Sequence, residues 1–155
     1  MANDWKVITV IGNIGSGKTT LTKRLAKTLK AKEIQADSLY LKNPFFPLAI
    51  KDRKRWSLAS DLWFLNERVK IMENNLLSKQ KLVIDSGLPM SWVYAHSRTK
   101  SGFYTEEEAK IYDSLNRILT STLKPENIIV KLEADIDFLF QRIQTRGRNF
   151  ELKHF

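Results

Sequence analysis

The sequence predicts an α/β fold in which helices flank a mostly parallel β-sheet. Short apolar runs alternate with longer segments of helical periodicity along the chain, and the first apolar run ends in a glycine-rich turn that opens a helix. No internal repeat or low-complexity linker breaks this alternation. The chain has 155 residues, of which 43% are hydrophobic, so we expect a single domain over 1–155 with its own core.

The first half of the chain predicts two strands and two helices. Residues 5–12 form an apolar run rich in β-branched side chains, as in a buried parallel strand. Residues 17–30 carry leucine at every fourth position and predict a helix. Residues 31–37 predict a second strand that ends at Asp37. After a proline-containing break, the apolar spacing predicts a long helix from Trp56 to Leu77.

The second half repeats the pattern. Residues 81–87 predict a strand that delivers Asp85 to its carboxyl end. A Thr-x-x-Glu capping box opens the helix predicted over 105–123. Residues 127–134 predict a last strand, and the helix after it runs over 136–148. Ligands of such folds bind at the carboxyl ends of the strands.

A phosphate-binding loop lies at that end of the first strand. It comprises Gly12, Asn13, Ile14, Gly15, Ser16, Gly17, Lys18, Thr19 and Thr20, and it matches G-x-x-x-x-G-K-[ST] between a strand and a helix. In such a loop the backbone N–H groups face the phosphates, Lys18 reaches the β- and γ-phosphate oxygens, and the Thr19 hydroxyl binds Mg²⁺. We therefore expect ATP or another nucleoside triphosphate, with Mg²⁺, on a three-layer sandwich of the P-loop NTPase type.

Two aspartates at the predicted sheet edge are candidates for chemistry. Asp85 can serve the magnesium ion, although an aspartate before Ser-Gly also forms turns. Asp37 can abstract a proton from an acceptor hydroxyl, or it can cap the segment that follows.

The long helix carries a polar face beside its apolar stripe. Its members, at spacings of four, three and four, are Ser57, Asp61, Phe64 and Arg68. An acid, an aromatic ring and a cation on one face can read a nucleobase by hydrogen bonds and stacking. The alternative is that Asp61 and Arg68, a pair two turns apart, are simple surface charge.

Three arginines come together near the end of the chain, at Arg142, Arg146 and Arg148. Arginine matches phosphate geometry, and positive charge beside a transferring phosphoryl group stabilises the transition state. A generic basic helix end would have the same composition.

Composition bounds the partners and the compartment. Lys+Arg 26 against Asp+Glu 17 gives a net charge of +9, which attracts nucleotides, nucleic acid or anionic membranes without choosing among them. The chain has no cysteine, no apolar run of about eighteen residues and no signal-peptide pattern at its start. We expect a cytoplasmic protein without a membrane partner.

The order of these parts resembles the deoxynucleoside kinases, which act on deoxyadenosine, deoxyguanosine and deoxycytidine. The motifs that carry the resemblance are GNIGSGKTT, NPFF, RWS at the long helix, VIDSG and RIQTRGRNFE. The resemblance implies transfer of the ATP γ-phosphate to the 5′-hydroxyl of a nucleoside. It also implies a homodimer through the long helices, and it makes nucleic acid an unlikely partner.

The resemblance assigns roles to single residues. It makes Asp37 the general base, with Lys18, Arg142 and Arg146 catalytic, and with Arg146 and Arg148 on the nucleotide. It places Asp85 near magnesium, Arg68 beside the base, and Glu151 of the lid near the sugar 3′-hydroxyl. The expected substrate site then consists of Asp61, Phe64, Arg68 and Glu151.

Four departures from the family accompany the match. Ser86 stands where the family has a phosphate-binding arginine, Asp61 where it has a base-reading glutamine, and Ile50 where it has a sugar-binding tyrosine. Members generally continue past the lid with a further helix and strand, so the domain is expected to lack these. The base and the sugar therefore stay open. A kinase for nucleoside monophosphates or other small molecules, or a non-catalytic protein that binds nucleotide or nucleic acid, is the alternative.

Overall fold

A parallel β-sheet forms the centre of the computed structural model, which describes residues 6–78, 80–123 and 127–148. Its strands are β1 (Val7–Gly12), β2 (Lys32–Ile34), β3 (Leu82–Asp85) and β4 (Ile128–Leu132). They lie in the order β2-β3-β1-β4, and every pair is parallel. Asp85 is in register with Val10, so the end of β3 lies beside the point where β1 runs into its loop.

Helices connect the strands. They are α1 (Lys18–Thr28), α2 (Ala36–Tyr40), α3 (Phe46–Lys51), α4 (Arg53–Leu77), α5 (Leu88–Lys100), α6 (Glu106–Thr120) and α7 (Ile136–Arg146). Within the described residues, no helix has the length and apolar character needed to cross a bilayer.

The sheet is covered on both faces because β1 alternates its side chains between two cores. Ile8 and Val10 pack with Ala26 of α1. Val7 points the other way and packs with Met72 of α4. This arrangement is the predicted three-layer sandwich, and the predicted α/β fold is confirmed.

A separate core joins α4 to the two helices beside it. Leu65 and Val69 of α4 pack against Ala95 of α5 and against Tyr104 and Tyr112, which precede and belong to α6. The capping box at the start of α6 is formed as predicted: the Thr105 hydroxyl accepts from the Glu108 amide at 3.1 Å, and the Glu108 carboxylate accepts from the Thr105 amide at 2.8 Å. This core fixes one wall of the cavity described below.

The second strand is shorter than predicted, which corrects the setting of Asp37. β2 pairs with β3 only over Lys32–Ile34, and Gln35 is the extended residue that begins α2. Asp37 lies in the first turn of α2 rather than at the end of a strand. A carboxylate in a first helical turn is favoured by the helix dipole.

Three helices were not predicted from the sequence. α2 overlaps the end of the predicted second strand, α3 begins inside the proline-containing break, and α5 follows the turn after β3. Pro47, which belongs to that break, and Pro89 stand in the first turns of α3 and α5, where proline leaves no hydrogen bond unmade. α4 begins before Trp56, at Arg53, because the Asp52 carboxylate caps it by accepting from the Arg55 amide at 3.1 Å.

Candidate active site

The loop between β1 and α1 needs glycine at two positions for different reasons. Gly17 begins α1 with φ +97°, a conformation that favours glycine. Gly12 has φ +149°, and a Cβ on it would lie 2.6 Å from the carbonyl oxygen of Leu132 in β4. Gly12 therefore lets β1 and β4 approach each other, and Gly17 turns the chain into the helix whose N-terminus faces the cavity.

The Lys18 side chain is hydrogen-bonded to the backbone of its own loop. Its Nζ donates to the carbonyl oxygen of Asn13 at 2.8 Å, and the Ser16 amide donates to the same oxygen at 3.2 Å. Lys18 also lines the cavity, and in proteins of this motif the loop holds the phosphates of a bound nucleotide.

Thr19 and Asp85, the two predicted magnesium ligands, are in contact. The Thr19 hydroxyl donates to Asp85 Oδ2 at 2.6 Å, and the Ser86 hydroxyl donates to Oδ1 at 2.9 Å. Asp85 is 3% exposed, and its described partners are these two hydroxyls. One carboxylate and one hydroxyl at a phosphate loop fit Mg²⁺, which takes few protein oxygens and completes its shell with phosphate and water. The described residues hold no cluster of three or more metal-ligating side chains.

Asp37 faces this site from α2. It contacts Arg146, the last residue of α7, and Arg148, which follows that helix. Arg148 donates from NH1 to Oδ1 at 3.1 Å and from NH2 to Oδ2 at 2.6 Å. Arg146 NH2 lies 3.6 Å from Oδ2. The hydrogen bonds from Arg148, together with the charges of both arginines, hold the pKa of Asp37 below its usual value even though burial opposes them.

The three predicted arginines divide into two groups. Arg146 and Arg148 line the same cavity as Lys18 and Thr19. Arg142 stays outside it: its guanidinium lies 5.4 Å from the centre of the Phe138 ring, and its NH1 would be 3.4 Å from a Cβ on Gly17. Arg142 therefore approaches the phosphate loop from its outer side. Glu151, predicted to meet the sugar, lies outside the described residues.

The cavity, of about 340 Å³, joins the phosphate loop to the polar face of α4. All four predicted residues of that face line it, as do Asp37, Asp85, Ser86 and Ile50. Its volume is in the range of small-molecule sites. The sequence-predicted donor and acceptor sites are therefore two ends of one space.

Aromatic rings form one wall of the acceptor end. Phe64 meets Tyr40 edge to face with 5.5 Å between ring centres, and Phe46 edge to face at 6.0 Å. The Arg68 guanidinium lies 5.4 Å from the centre of the Phe64 ring. This wall offers a flat apolar surface to a ring system.

Asp61 and Arg68 do not pair with each other. Asp61 Oδ2 accepts from Arg98 Nε at 2.5 Å and from the Tyr104 hydroxyl at 2.6 Å. Arg68 instead donates from NH1 to the Ser91 hydroxyl at 2.7 Å. The alternative that the two are surface charge is therefore wrong, because they are 4% and 5% exposed and each has partners from α5 or from the segment before α6.

Arg98, Tyr104 and Ser91 were missed by the sequence reasoning. Their separations from their α4 partners, between 23 and 43 residues, exceed the reach of any helical or strand periodicity. No motif marks them. Burial lowers the pKa of Arg68 and raises that of Tyr104, where the charge of Asp61 adds to the effect.

Ser86 has a strained backbone beside the magnesium ligand. Its φ is +57°, in the left-handed region that non-glycine residues rarely adopt, and it is buried. Its amide donates to the Val10 carbonyl at 3.0 Å, while its hydroxyl holds Asp85. The position where the resemblance expects an arginine is thus occupied by a residue that orients the carboxylate.

Comparison with known proteins agrees with this geometry. Residues 8–154 match the family model described as deoxynucleoside kinase. A deoxyadenosine/deoxycytidine kinase of Bacillus subtilis (strain 168) is 31% identical over 150 residues, which cover 95% of this chain and 68% of that protein. A deoxyguanosine kinase of Dictyostelium discoideum is 29% identical over 150 residues, which cover 94% of this chain and 52% of that protein.

The chain thus spans just over half of one relative and about two thirds of the other. The solved structure of a deoxyadenosine kinase from M. mycoides with bound dATP aligns with a TM-score of 0.80 at 20% identity, over 94% of this chain and 74% of that one, which shows the same fold. Because the family model extends over nearly the whole sequence, the chain belongs to the deoxynucleoside kinase family.

Proposed function

We propose that this protein transfers the γ-phosphate of ATP to the 5′-hydroxyl of a nucleoside, giving the nucleoside monophosphate and ADP. The observation that carries the proposal is the single cavity that runs from the phosphate loop past Asp37 to the polar face of α4. The relatives described above are a deoxyguanosine kinase and a deoxyadenosine/deoxycytidine kinase, which together cover the three deoxynucleosides of the predicted family.

The donor end supplies positioning and charge. The loop amides and Lys18 hold the β- and γ-phosphates, while Arg146 and Arg148 face them from the other side of the cavity. Thr19 and Asp85 would hold Mg²⁺, which neutralises charge on the phosphate oxygens when bound. Arg142, outside the cavity, would reach the nucleotide only from the loop's outer side.

Asp37 is the proposed base. As the 5′-oxygen forms its bond to the γ-phosphorus, the bond from that phosphorus to the β–γ bridging oxygen breaks and ADP leaves. The 5′-hydroxyl proton passes to the Asp37 carboxylate. Arg148 donates hydrogen bonds to both oxygens of that carboxylate. The proposal therefore requires Arg148 to leave Asp37 and bind the phosphates of the incoming nucleotide, so that the carboxylate is free to take the proton.

A nucleoside fits the acceptor end better than a nucleoside monophosphate does. A monophosphate acceptor requires extra cations close to Asp85, and the described partners of Asp85 are the hydroxyls of Thr19 and Ser86. Phe64 and the rings beside it offer a stacking surface for the base.

Three further expectations remain part of this proposal. ATP serves as donor, although another nucleoside triphosphate would fit the loop equally well. The protein works in the cytoplasm. It pairs through α4, where Trp56 and Trp63 are half-buried.

ADP release in a coupled assay with Mg·ATP tests the proposal against deoxynucleosides, ribonucleosides and nucleoside monophosphates. We expect turnover on a nucleoside that Lys18→Ala and Asp37→Asn each abolish. The matched controls are Lys23→Ala on α1 and Asp113→Asn on α6, both on exposed surface, and they should retain full rates. ATP binding without turnover on any acceptor would contradict the proposal in favour of a non-catalytic nucleotide-binding protein.

A further inference from the structure

The acidic residue of the acceptor face does not offer a vacant hydrogen-bond acceptor on Oδ2. That oxygen of Asp61 already accepts from both Arg98 and Tyr104. Asp61 is 4% exposed, and its carboxylate forms an ion pair with Arg98 rather than facing solvent. The consequence is that Asp61 fixes Arg98 in place.

The unpartnered nitrogens at this end of the cavity are donors, while the second carboxylate oxygen of Asp61, Oδ1, and the hydroxyl groups there can accept. Within the described residues, the terminal amino groups of Arg98 make no hydrogen bond, since only Nε is engaged. Arg68 Nε, on a side chain 5% exposed, is buried without a partner. The hydroxyl of Ser57, 1% exposed, is also buried without one. All three residues line the cavity.

The charge at this end is positive as well. Arg53 lines the same cavity with its guanidinium 5.1 Å from the centre of the Phe103 ring, and burial together with the charge of Arg98 lowers its pKa. Among the described residues that line the cavity, Asp61 is the carboxylate that contacts one of these arginines, while Asp37 and Asp85 line its phosphate end. A base edge that presents adjacent hydrogen-bond acceptors would satisfy these arginines, whereas an edge that places an amino group against them would not.

Small side chains stand among the larger ones that line the cavity, and its volume of about 340 Å³ has room for a two-ring base. The small ones are Ala49, Ser57, Ser91 and Ser97. Phe64 forms the adjoining aromatic surface.

Base chemistry then decides among nucleosides. Guanine and hypoxanthine present two adjacent acceptors, O6 and N7, with no donor between them. Adenine places an amino group beside N7, and cytosine places one at the corresponding edge. On the basis of the proposed kinase activity, we propose that the acceptor is a 6-oxopurine nucleoside and that Arg98, positioned by Asp61 and Tyr104, selects it.

Binding and turnover with a nucleoside series test this inference. The series is deoxyguanosine, deoxyinosine, 7-deazadeoxyguanosine, deoxyadenosine and deoxycytidine, with Kd from calorimetry and kcat/KM from ADP release. We expect deoxyguanosine and deoxyinosine to be equivalent, since both keep O6 and N7. Deoxyadenosine and deoxycytidine should be at least about tenfold poorer, and loss of N7 should cost about fivefold or more.

Variants then assign the selection to Arg98. Arg98→Gln should raise the KM for deoxyguanosine about tenfold or more while leaving deoxyadenosine nearly unchanged, so the preference collapses. Because that change leaves Asp61 buried without its cation, the double variant Asp61→Asn with Arg98→Gln is measured beside it. Arg24→Gln, on the exposed face of α1, is the matched control and should keep the wild-type preference.

The outcomes separate this inference from the kinase activity itself. Turnover that prefers deoxyadenosine or deoxycytidine, or a preference that survives both Arg98 variants, overturns the inference and leaves the kinase intact. Absence of turnover on every nucleoside overturns the kinase, and the calorimetric preference then decides the inference alone. Absence of nucleoside binding overturns both.

Discussion

Asp37 and Arg148 form a two-point contact across 111 residues of sequence, with NH1 3.1 Å from Oδ1 and NH2 2.6 Å from Oδ2. The contact joins α2 to the end of α7, and it ties the proposed general base to an arginine of the nucleotide site. Both side chains are partly exposed. It is therefore an ion pair that a nucleotide can compete for, rather than a buried core contact.

The Asp37–Arg148 pair makes stability depend on pH. The pKa of Asp37 is lowered in the folded protein from 3.8, mainly by the hydrogen bonds from Arg148. The stabilisation that the pair gives the folded protein is therefore complete above the pKa of Asp37 in the unfolded chain. It is lost as the pH falls through the lower pKa of Asp37 in the folded protein. We expect Asp37→Asn to lower the free energy of unfolding by about 0.5 kcal/mol at pH 7, a small value because the pair is partly exposed.

Urea denaturation of wild type and Asp37→Asn at pH 7 and well below pH 3.8 measures this. The difference between the two proteins should vanish in acid. A difference that is equal at both pH values would mean that the ion pair is not the cause. Asp113→Asn, on the exposed surface of α6, serves as the control.

Lys18 should decide nucleotide affinity. Its Nζ donates to the Asn13 carbonyl of the phosphate loop, so the ammonium group already lies at the loop that would receive the phosphates. We expect Lys18→Ala to weaken Mg·ADP binding by about 10- to 100-fold, the range for a charge-assisted hydrogen bond. Calorimetric titration of wild type, Lys18→Ala and Lys23→Ala gives the comparison. Equal affinities in all three would remove Lys18 from the site.

Ser86 combines a useful hydroxyl with an unfavourable backbone, and two substitutions separate these effects. Ser86→Ala removes the hydrogen bond to Asp85 but keeps the Cβ at φ +57°. Ser86→Gly removes the same hydrogen bond and relieves the left-handed strain. We expect the glycine variant to be more stable than the alanine variant by about 1 kcal/mol.

Both Ser86 variants should also need a higher magnesium concentration for half-maximal ADP release, since Asp85 loses one of the two groups that orient it. Urea unfolding gives the stability difference, and a magnesium titration of activity gives the second effect. Magnesium dependence identical to wild type would show that Thr19 alone orients Asp85.

Tyr104 and Tyr112 form a matched pair for testing the buried Asp61 network. Both rings are buried, yet only the Tyr104 hydroxyl donates to Asp61, at 2.6 Å, whereas that of Tyr112 lies near the Ser91 hydroxyl and makes no hydrogen bond of ordinary geometry among the described residues. We expect Tyr104→Phe to cost about 1–3 kcal/mol in unfolding free energy and Tyr112→Phe to be nearly neutral. Thermal and urea unfolding of the two variants measure this. Equal costs would contradict the assignment of the Asp61 hydrogen bond.

Local pattern in the sequence determined the parts of this protein that depend on neighbouring residues. The nine-residue loop from Gly12 to Thr20, the apolar strands on either side of it and the capping box at Thr105 all depend on residues within a few positions of each other. Their spacing encodes backbone conformation directly, so the α/β class, the nucleotide loop and the family were predictable. Helix starts at Pro47 and Pro89 were missed because proline also marks turns.

Tertiary structure alone decided which charged groups meet. Asp61 and Arg68 share one helix face, and the sequence left open that they are surface charge, but α5 places Arg98 beside the first and Ser91 beside the second. Asp37 meets Arg148 only because the ends of α2 and α7 converge at one edge of the sheet. Ion pairs between distant elements depend on how helices pack and on which partner is desolvated with them, and no periodicity along the chain records either.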